Sequence, residues 1–524
     1  MILEELVGGI LSLCSSLATP TPPISREHEG QMRLIFEDRY EENDEVCDGL
    51  IHLEYEEEPE AETPYYEDAF VAWQTKEQSN RRNLCESFKR SLEANIGLIA
   101  VVFILGILVI GLVFVDFNTT DSCIEWIRYQ YRIPENIRIL KMVGMSLQLF
   151  PLFAWFPACI VMLWGFREFK KNYLSGLLVC QVVIGSISCV YRILMIDTKR
   201  FTVSEINLNR LPVYALFVFS ILCGAGLVAW KFKKNNPETS YSLFHIFFIL
   251  SFAFLASCLI AYVYAFFINK YFKKTESKIQ KAIIAAGTPG LILPITATAK
   301  FIILRKSSEI ITPDRAFVLC YFLRGASIVL YRTMQSDFEN IWLFVGLSLL
   351  HGVSNVLSKA TLGLRIKMWK FFIYKCLNKT CCQPRLEVKP QNSPRIRRLN
   401  ADLEIQNILF EYTTIILVQA YLSCYLVMNF DTAPWPIIKS SLIRTAIGLA
   451  TDFLFNMVSV SIQIHVYDIP MRMVWFKHWR FHVVVNAFIM IIIISYFGPS
   501  LVSVFPGKNY ISGDLKLRNC TSVF

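Results

Sequence analysis

The chain has 524 residues, of which 54% are hydrophobic, 14% aromatic and 18% charged. Soluble domains carry about 25% charged residues, so this composition excludes a single water-soluble core. The formal net charge of +9 hides two opposite parts, because residues 1–77 hold 20 acidic and 4 basic side chains and the remainder therefore carries +25. A basic membrane domain suits contact with anionic lipid headgroups, although such charges often only set topology.

The acidic N-terminal region comes first, over residues 1–93. Its Pro-rich and Glu-rich stretches are too charged to bury a core, so we predict a cytoplasmic and largely disordered segment. Residues 6–13 are apolar, but Glu4 and Glu5 precede them, whereas a signal peptide begins with basic residues. We therefore favour a short amphipathic segment over a signal peptide.

Long apolar stretches then recur along the chain. Residues 96–115 carry no charge, which is long enough for a helix to cross about 30 Å of hydrocarbon. We predict an all-α, polytopic transmembrane helical bundle with about 11 spans, in a range of roughly 9–12. The predicted spans are 95–115, 142–165, 173–196, 211–230, 241–268, 282–304, 316–331, 341–364, 408–430, 435–464 and 481–505.

These spans divide the chain. Spans one to eight occupy 94–364, a basic cytoplasmic loop occupies 365–407, spans nine to eleven occupy 408–505, and a luminal or extracellular tail occupies 506–524. The loop begins with alternating basic and aromatic residues, the pattern of an interfacial helix on anionic lipid. Cys376, Cys381 and Cys382 follow and are candidates for palmitoylation, with unmodified thiols as the alternative.

Basic residues also predict the orientation. They flank spans one, two, four, eight and ten on the side that becomes cytoplasmic if the N-terminus is cytoplasmic. One loop disagrees, because five lysines fall on the other side: Lys270, Lys273, Lys274, Lys278 and Lys281. We expect an integral protein of the secretory pathway or plasma membrane, with its C-terminus luminal or extracellular.

The segments predicted outside carry candidate modification sites. Asn118 and Asn519 lie in glycosylation sequons. Cys123 and Cys520 are the two cysteines that this topology places in an oxidising compartment, so we predict a disulfide between them.

Polar residues inside spans are the candidates for function, because intramembrane charges are costly. In span ten, Arg444, Gly448, Asp452 and Asn456 recur every four residues and share a helix face. A second stripe lies in span eight: Ser348, His351, Gly352, Asn355 and Lys359. Each face must meet another helix or a wet cavity. Because Arg324 lies near the middle of span seven, we predict that it pairs with Asp452.

Span six contains helix-breaking residues. Pro289 and Pro294 each lack an N–H, and Gly287 and Gly290 relax the backbone. The pattern predicts either an interrupted helix of the kind that forms ion and substrate sites in transporters, or a packed kink.

The motif search favours transport over catalysis. The sequence contains no G-x-G-x-x-G, Walker lysine loop, H-E-x-x-H or G-x-S-x-G, so we predict no enzyme activity, no cofactor and no metal site. Its expected partner is the lipid bilayer, with anionic lipids at the cytoplasmic face and no nucleic acid. We predict a transporter- or channel-like protein that passes a small solute, ion or lipid. The alternative is a receptor-like or scaffold protein that signals through the acidic region and basic loop.

Overall fold

A computed structural model of the protein describes residues 84–120, 134–197, 206–306, 310–312, 314–361, 394–430, 433–498, 501 and 504–505. Every regular element of more than one residue in these ranges is helical. In chain order they are α1 Leu84–Thr120, α2 Glu135–Trp164, α3 Leu174–Asp197, α4 Ile206–Asn235, α5 Leu243–Val263, α6 Asn269–Lys274, α7 Lys278–Lys306, α8 Phe317–Ser336, α9 Ile341–Ala360, α10 Pro394–Asn429, α11 Pro434–Tyr467 and α12 Met471–Ile492. Short helical and π-helical turns, Phe166–Glu168 and Phe169–Tyr173, lead into α3, and π-helical turns extend α5 (Tyr264–Ile268) and α12 (Ile493–Phe497).

The described helices confirm an all-α membrane bundle. Ten of them are long and apolar enough to cross a bilayer, namely all except α6 and α7. Helix α7, which corresponds to predicted span six, has 29 residues. At about 1.5 Å per residue it is also long enough to cross the hydrocarbon. The approximate count of eleven spans therefore depends on α7.

Several helices extend beyond their predicted spans, and three of these extensions carry residues of the site. Helix α10 begins at Pro394, so residues 394–407, which we had assigned to the basic loop, are helical. Helix α12 begins at Met471 rather than at 481, and α8 continues to Ser336 rather than ending at 331. Hydropathy misses these turns because they are polar, yet many of their side chains are buried against neighbouring helices.

The bundle has an apolar group of helices and a polar group. Helices α2, α3, α4 and α5 pack consecutively on one another. Aromatic rings fill their centre, where Trp155 stacks on Phe217 with centroids 6.0 Å apart and Phe156 meets Phe254 edge-on at 5.2 Å. Helix α10 is the centre of the other group, because α1, α8, α11 and α12 all pack against it. Helix α8 contacts both groups.

Candidate functional site: a ladder of buried ion pairs

The central helix α10 carries the densest set of buried polar groups. Its buried polar side chains include Asp402, Glu404, Gln406, Asn407, Glu411, Thr413, Thr414 and Gln419. A carboxylate taken out of water is stable only when it is paired and hydrogen-bonded. Each carboxylate of α10 has such partners on α9, α11 or α12, and together they form a series of rungs that we call the ladder.

The first rung joins α10 to α12. His482 Nε2 lies 3.1 Å from Asp402 Oδ1, and Arg398 Nε donates to Asp402 Oδ2 at 2.9 Å. The amide of Gln406 donates to His482 Nδ1 at 3.1 Å and to the His482 carbonyl at 2.8 Å. Both ring nitrogens of His482 therefore lie within hydrogen-bond distance of side chains of α10.

The second rung joins α10 to α9 and α11. Lys359 Nζ lies 2.5 Å from Glu404 Oε2, and Gln463 Nε2 donates to Glu404 Oε1 at 2.9 Å. Lys359 lies in the last turn of α9, and its carbonyl accepts a hydrogen bond from the Tyr467 hydroxyl at 3.3 Å. The lysine is partly accessible, with 17% of its side chain exposed, whereas Glu404 is 2% exposed. In this rung the lysine is therefore closer to the surface than the carboxylate with which it pairs.

The third rung lies two turns farther along α10. Glu411 Oε1 accepts from the Asn407 amide at 2.9 Å and lies 3.4 Å from His351 Nε2. Its other oxygen accepts from the Asn456 amide at 3.2 Å, and Asn355 donates to Asn456 Oδ1 at 3.3 Å. Here again the base is the accessible partner, since His351 is 20% exposed and Glu411 is 4% exposed.

The fourth rung joins α8 to α11. The guanidinium of Arg332 donates to Asp452 Oδ2, and its other terminal nitrogen donates to Gln335 Oε1 at 2.8 Å. The Gln335 amide continues to Ser348 Oγ at 2.6 Å and to the Phe344 carbonyl at 2.8 Å. Both charged side chains are 2% exposed, so neither partner of this ion pair is accessible to solvent.

The last contacts lie at the far end of α8. Gln419 on α10 donates to Ser336 Oγ at 2.9 Å. Arg444 on α11 donates to the carbonyls of Phe338 at 2.9 Å and Glu339 at 2.8 Å, just beyond the end of α8. These carbonyls follow a helix carboxyl end, where a cation is favoured.

The ladder is long compared with the thickness of a membrane. Asp402 and Gln419 are 17 positions apart on one helix, which corresponds to about 26 Å, whereas the hydrocarbon of a bilayer is about 30 Å thick. Along this distance the ladder has four carboxylates and four permanently charged bases, which are Lys359, Arg332, Arg398 and, in its last contacts, Arg444.

Several buried polar atoms of the ladder have no hydrogen-bond partner among the described residues. They include Arg332 Nε, Asp452 Oδ1, Asn407 Oδ1 and Gln419 Oε1. Buried polar atoms in folded proteins are nearly always satisfied by protein or water. These atoms are therefore positions at which water or a polar cargo group would bind.

The structure brings both predicted polar stripes into one site. Asp452 and Asn456 on α11 and His351, Asn355 and Lys359 on α9 all belong to the ladder. The carboxylates Asp402 and Glu404 of α10 were missed because that stretch was assigned to the loop. Their signal in the sequence is a charged run in which they follow Arg398 by four and six positions.

Asp452 pairs with Arg332 rather than with Arg324. The two arginines lie two helical turns apart on α8, and Arg332 was overlooked because predicted span seven ended at residue 331. The Arg324 side chain lies outside the described residues. Arg444, which shares a helix face with Asp452, contacts the α8–α9 turn.

The predicted break in span six is not present as an interruption. Helix α7 is continuous through Gly287, Pro289, Gly290 and Pro294. Membrane helices accommodate proline when neighbours satisfy the freed backbone groups. Helix α7 is also held from outside, because the Tyr264 hydroxyl donates to the Thr288 carbonyl at 3.0 Å. The packed-kink alternative fits this helix better than an unwound site.

The lysine-rich loop that disagreed with the charge pattern lies at the α8–α9 turn. Lys281 Nζ lies 3.4 Å from Asp337 Oδ2, which directly follows α8. Burial raises the pKa of Asp337 to about 6, opposed by the Lys281 ammonium. Ser336, at the end of α8, contacts Gln419, which lies 21 positions after Arg398 on α10. This end of the bundle is therefore opposite to the basic end, which we define by Arg398 and Arg472.

The modification sites lie mostly outside the described residues. These are Asn519, Cys123, Cys520, Cys376, Cys381 and Cys382. Asn118 lies in the last turn of α1, and its side chain is also outside the described residues. Within the described part of the chain, no three His, Cys, Asp or Glu side chains come together as metal ligands.

Comparison with known proteins gives no relative on which a function could be based. No protein-family profile, curated protein or solved structure matches the chain.

Proposed function

We propose that the protein is transporter- or channel-like and passes a small solute, an ion or a lipid along the ladder of α10. The supporting observation is that the ladder extends over about 26 Å of a helix at the centre of the bundle. Ionisable groups inside a membrane are costly and commonly mark ion or substrate paths. Lys359 and His351 are the accessible partners of buried carboxylates, so cargo would enter the ladder from the side on which these two bases lie.

A free carboxylate oxygen of the ladder favours a cation as the passing group. Oδ1 of Asp452 is buried and has no hydrogen-bond partner among the described residues. A cation that binds beside Asp452 would contact its lone pairs. For a lipid cargo, this would be the cationic part of its headgroup.

Interhelical hydrogen bonding is the competing explanation, since polar side chains also hold membrane helices together. Flux through liposomes separates the two. Purified protein is reconstituted, and passage of protons, Na⁺, K⁺ and headgroup-labelled phospholipid is compared with protein-free liposomes. We expect at least one flux above background, with at least tenfold loss in Glu411→Gln.

The matched control is Asp116→Asn. Asp116 is a buried carboxylate of α1 that accepts from the Tyr421 hydroxyl at 2.9 Å and lies outside the ladder. The Asp116→Asn variant should be less stable than the wild type but should keep its flux. No flux for any of these cargoes, or equal effects of the two variants, would contradict the transport proposal.

The receptor-like or scaffold alternative rests on residues 1–93 and on the basic loop, most of which lie outside the described residues. It requires a partner protein, whereas transport does not. Flux with purified protein alone therefore also separates these functions. For the ladder we propose no catalytic role.

The gathering of basic residues at one end of the bundle supports a cytoplasmic N-terminus. Arg397 pairs with Asp468 at 3.0 Å and Arg472 with Glu93 at 2.6 Å, all near the start of α1 or the α11–α12 turn. Protease protection of a tag at each terminus tests the orientation. One protected and one cleaved tag is the expected result.

A further inference from the structure

A cavity of about 720 Å³ lies beside α6 and α7, at the end of the bundle opposite to Arg398 and Arg472. Its walls are largely apolar and include Phe267, Tyr271 and Ile283. These three side chains are 62%, 65% and 66% exposed, so the cavity opens on the outer surface of the bundle. Small-molecule sites measure about 300–1,000 Å³, and this cavity has room for a headgroup and part of an acyl chain.

The polar groups of the cavity are mainly cationic. Lys270 and Lys274 line it, one turn apart on α6. Residues 269–281 contain five lysines and one glutamate. The buried carboxylate of Asp337 pairs with Lys281 and also attracts Lys273, neither of which lines the cavity. The cavity thus combines apolar walls with a positive field.

We propose that this cavity, which we call the lysine cavity, binds an anionic phospholipid of the surrounding bilayer. The phosphate would lie at Lys270 and Lys274, and an acyl chain would cover Phe267 and Ile283. Positive charge selects an anionic headgroup. Apolar walls that open toward the membrane select a lipid over a soluble anion.

The site is separate from the lipid contacts that the sequence predicts at the basic end. It gives a reason for the lysines of this loop, which contradict the charge pattern of the other loops. The floor of the cavity contains Thr288, whose hydroxyl lies 3.7 Å from Met334 Sδ on α8. Met334 directly precedes Gln335 of the ladder, so a bound lipid would lie close to α8, the helix that carries Arg332 of the fourth rung.

Two glycines of α7 provide a matched test of the cavity. Gly287 lines it, and a Cβ at this position would meet no other atom within 4 Å. Gly290 has the same open space but is not part of the lining. Gly287→Leu should therefore fill the cavity, while Gly290→Leu makes the same change in helix propensity and leaves the cavity free.

Native mass spectrometry of the full chain in detergent measures binding. The probes are phosphatidylglycerol, phosphatidylcholine with the same chains, and oleate. We expect phosphatidylglycerol to bind at least tenfold more tightly than the other two. A lysine near an anionic lipid surface contributes roughly fivefold, so Lys270→Gln with Lys274→Gln should weaken binding about 25-fold. Lys278→Gln, an exposed lysine outside the lining, should leave it unchanged.

Three results would overturn the proposal. Equal binding of phosphatidylglycerol and phosphatidylcholine would remove the role of charge, and equal binding of oleate would identify the ligand as a free fatty acid. Unchanged binding in the double lysine variant would place the lipid elsewhere. Should Gly287→Leu fail to fold, the double variant decides alone, because Lys270 and Lys274 are exposed.

Discussion

Arg332 on α8 and Asp452 on α11 form an ion pair inside the bundle, with both side chains only 2% exposed. The pair joins helices that are 120 positions apart in sequence. Its arginine also orders Gln335, which connects the pair to Ser348 on α9. Arg332 therefore connects α8, α9 and α11 through direct and indirect hydrogen bonds.

Removing one partner of this pair should be more harmful than removing both. Arg332→Ala or Asp452→Ala leaves a buried charge unpaired and should cost about 3–5 kcal/mol. The double change Arg332→Met with Asp452→Leu should recover much of the loss, because it removes both charges and keeps volume. Thermal unfolding of the detergent-solubilised variants measures both effects.

A charge exchange tests which arginine pairs with Asp452. Arg332→Asp with Asp452→Arg should recover part of the stability lost in the single variants. The same exchange between Arg324 and Asp452 should not. Recovery only in the Arg324 exchange would show that the pairing described here is wrong.

Gly352 allows α9 and α11 to approach closely. A Cβ at this position would overlap the ring of Phe455 on α11. Overpacking of this kind costs about 1–3 kcal/mol, so Gly352→Ala should lower the unfolding temperature. Gly346→Ala is the control on the same helix, because a Cβ there meets no atom within 4 Å. It should be neutral or stabilise by up to about 1 kcal/mol; equal effects of the two variants would contradict the close packing.

Arg444 should stabilise the α8–α9 turn. Arg444→Gln removes charge-assisted hydrogen bonds to the Phe338 and Glu339 carbonyls, each worth about 1.5–3 kcal/mol. We expect lower thermal stability and faster proteolysis at this turn. Lys439→Gln, an exposed cation on the same helix, should change neither. If the Lys439 variant lost as much stability, general charge rather than capping would be the cause.

Asp337 should make stability depend on pH. Its pKa is raised from 3.8 to about 6, chiefly by burial, with Lys281 and Lys273 opposing the shift and Glu339 adding to it. A raised pKa means that the folded state binds the proton more tightly than the unfolded state does. The resulting stabilisation is complete below about pH 4 and is lost as pH rises through about 6, amounting to roughly 3 kcal/mol at most.

The measurement is the slope of the unfolding temperature between pH 4 and 7. The wild type should lose stability across this window, and Asp337→Asn should flatten that part of the slope. The slope is the quantity to compare, since the variant also loses its ion pair with Lys281. An unchanged slope would mean that Asp337 does not titrate in this range.

The sequence alone determined the class of the protein and the membrane helices. Stretches such as residues 96–115 carry too few charges for any other environment, and a helix satisfies its own backbone in lipid. The four-residue spacing of Asp452 and Asn456 also placed these side chains on one face, because that spacing follows from helix geometry alone.

Only the tertiary structure decided which groups those faces meet. Hydropathy ends a span where charge begins, so Asp402, Glu404 and Arg332 were left outside, although helix contacts bury all three. The cost of a buried charge depends on its partner, and that partner comes from another helix far away in sequence. Sequence therefore found Asp452, His351 and Lys359, and packing showed that their partners are Arg332, Glu411 and Glu404.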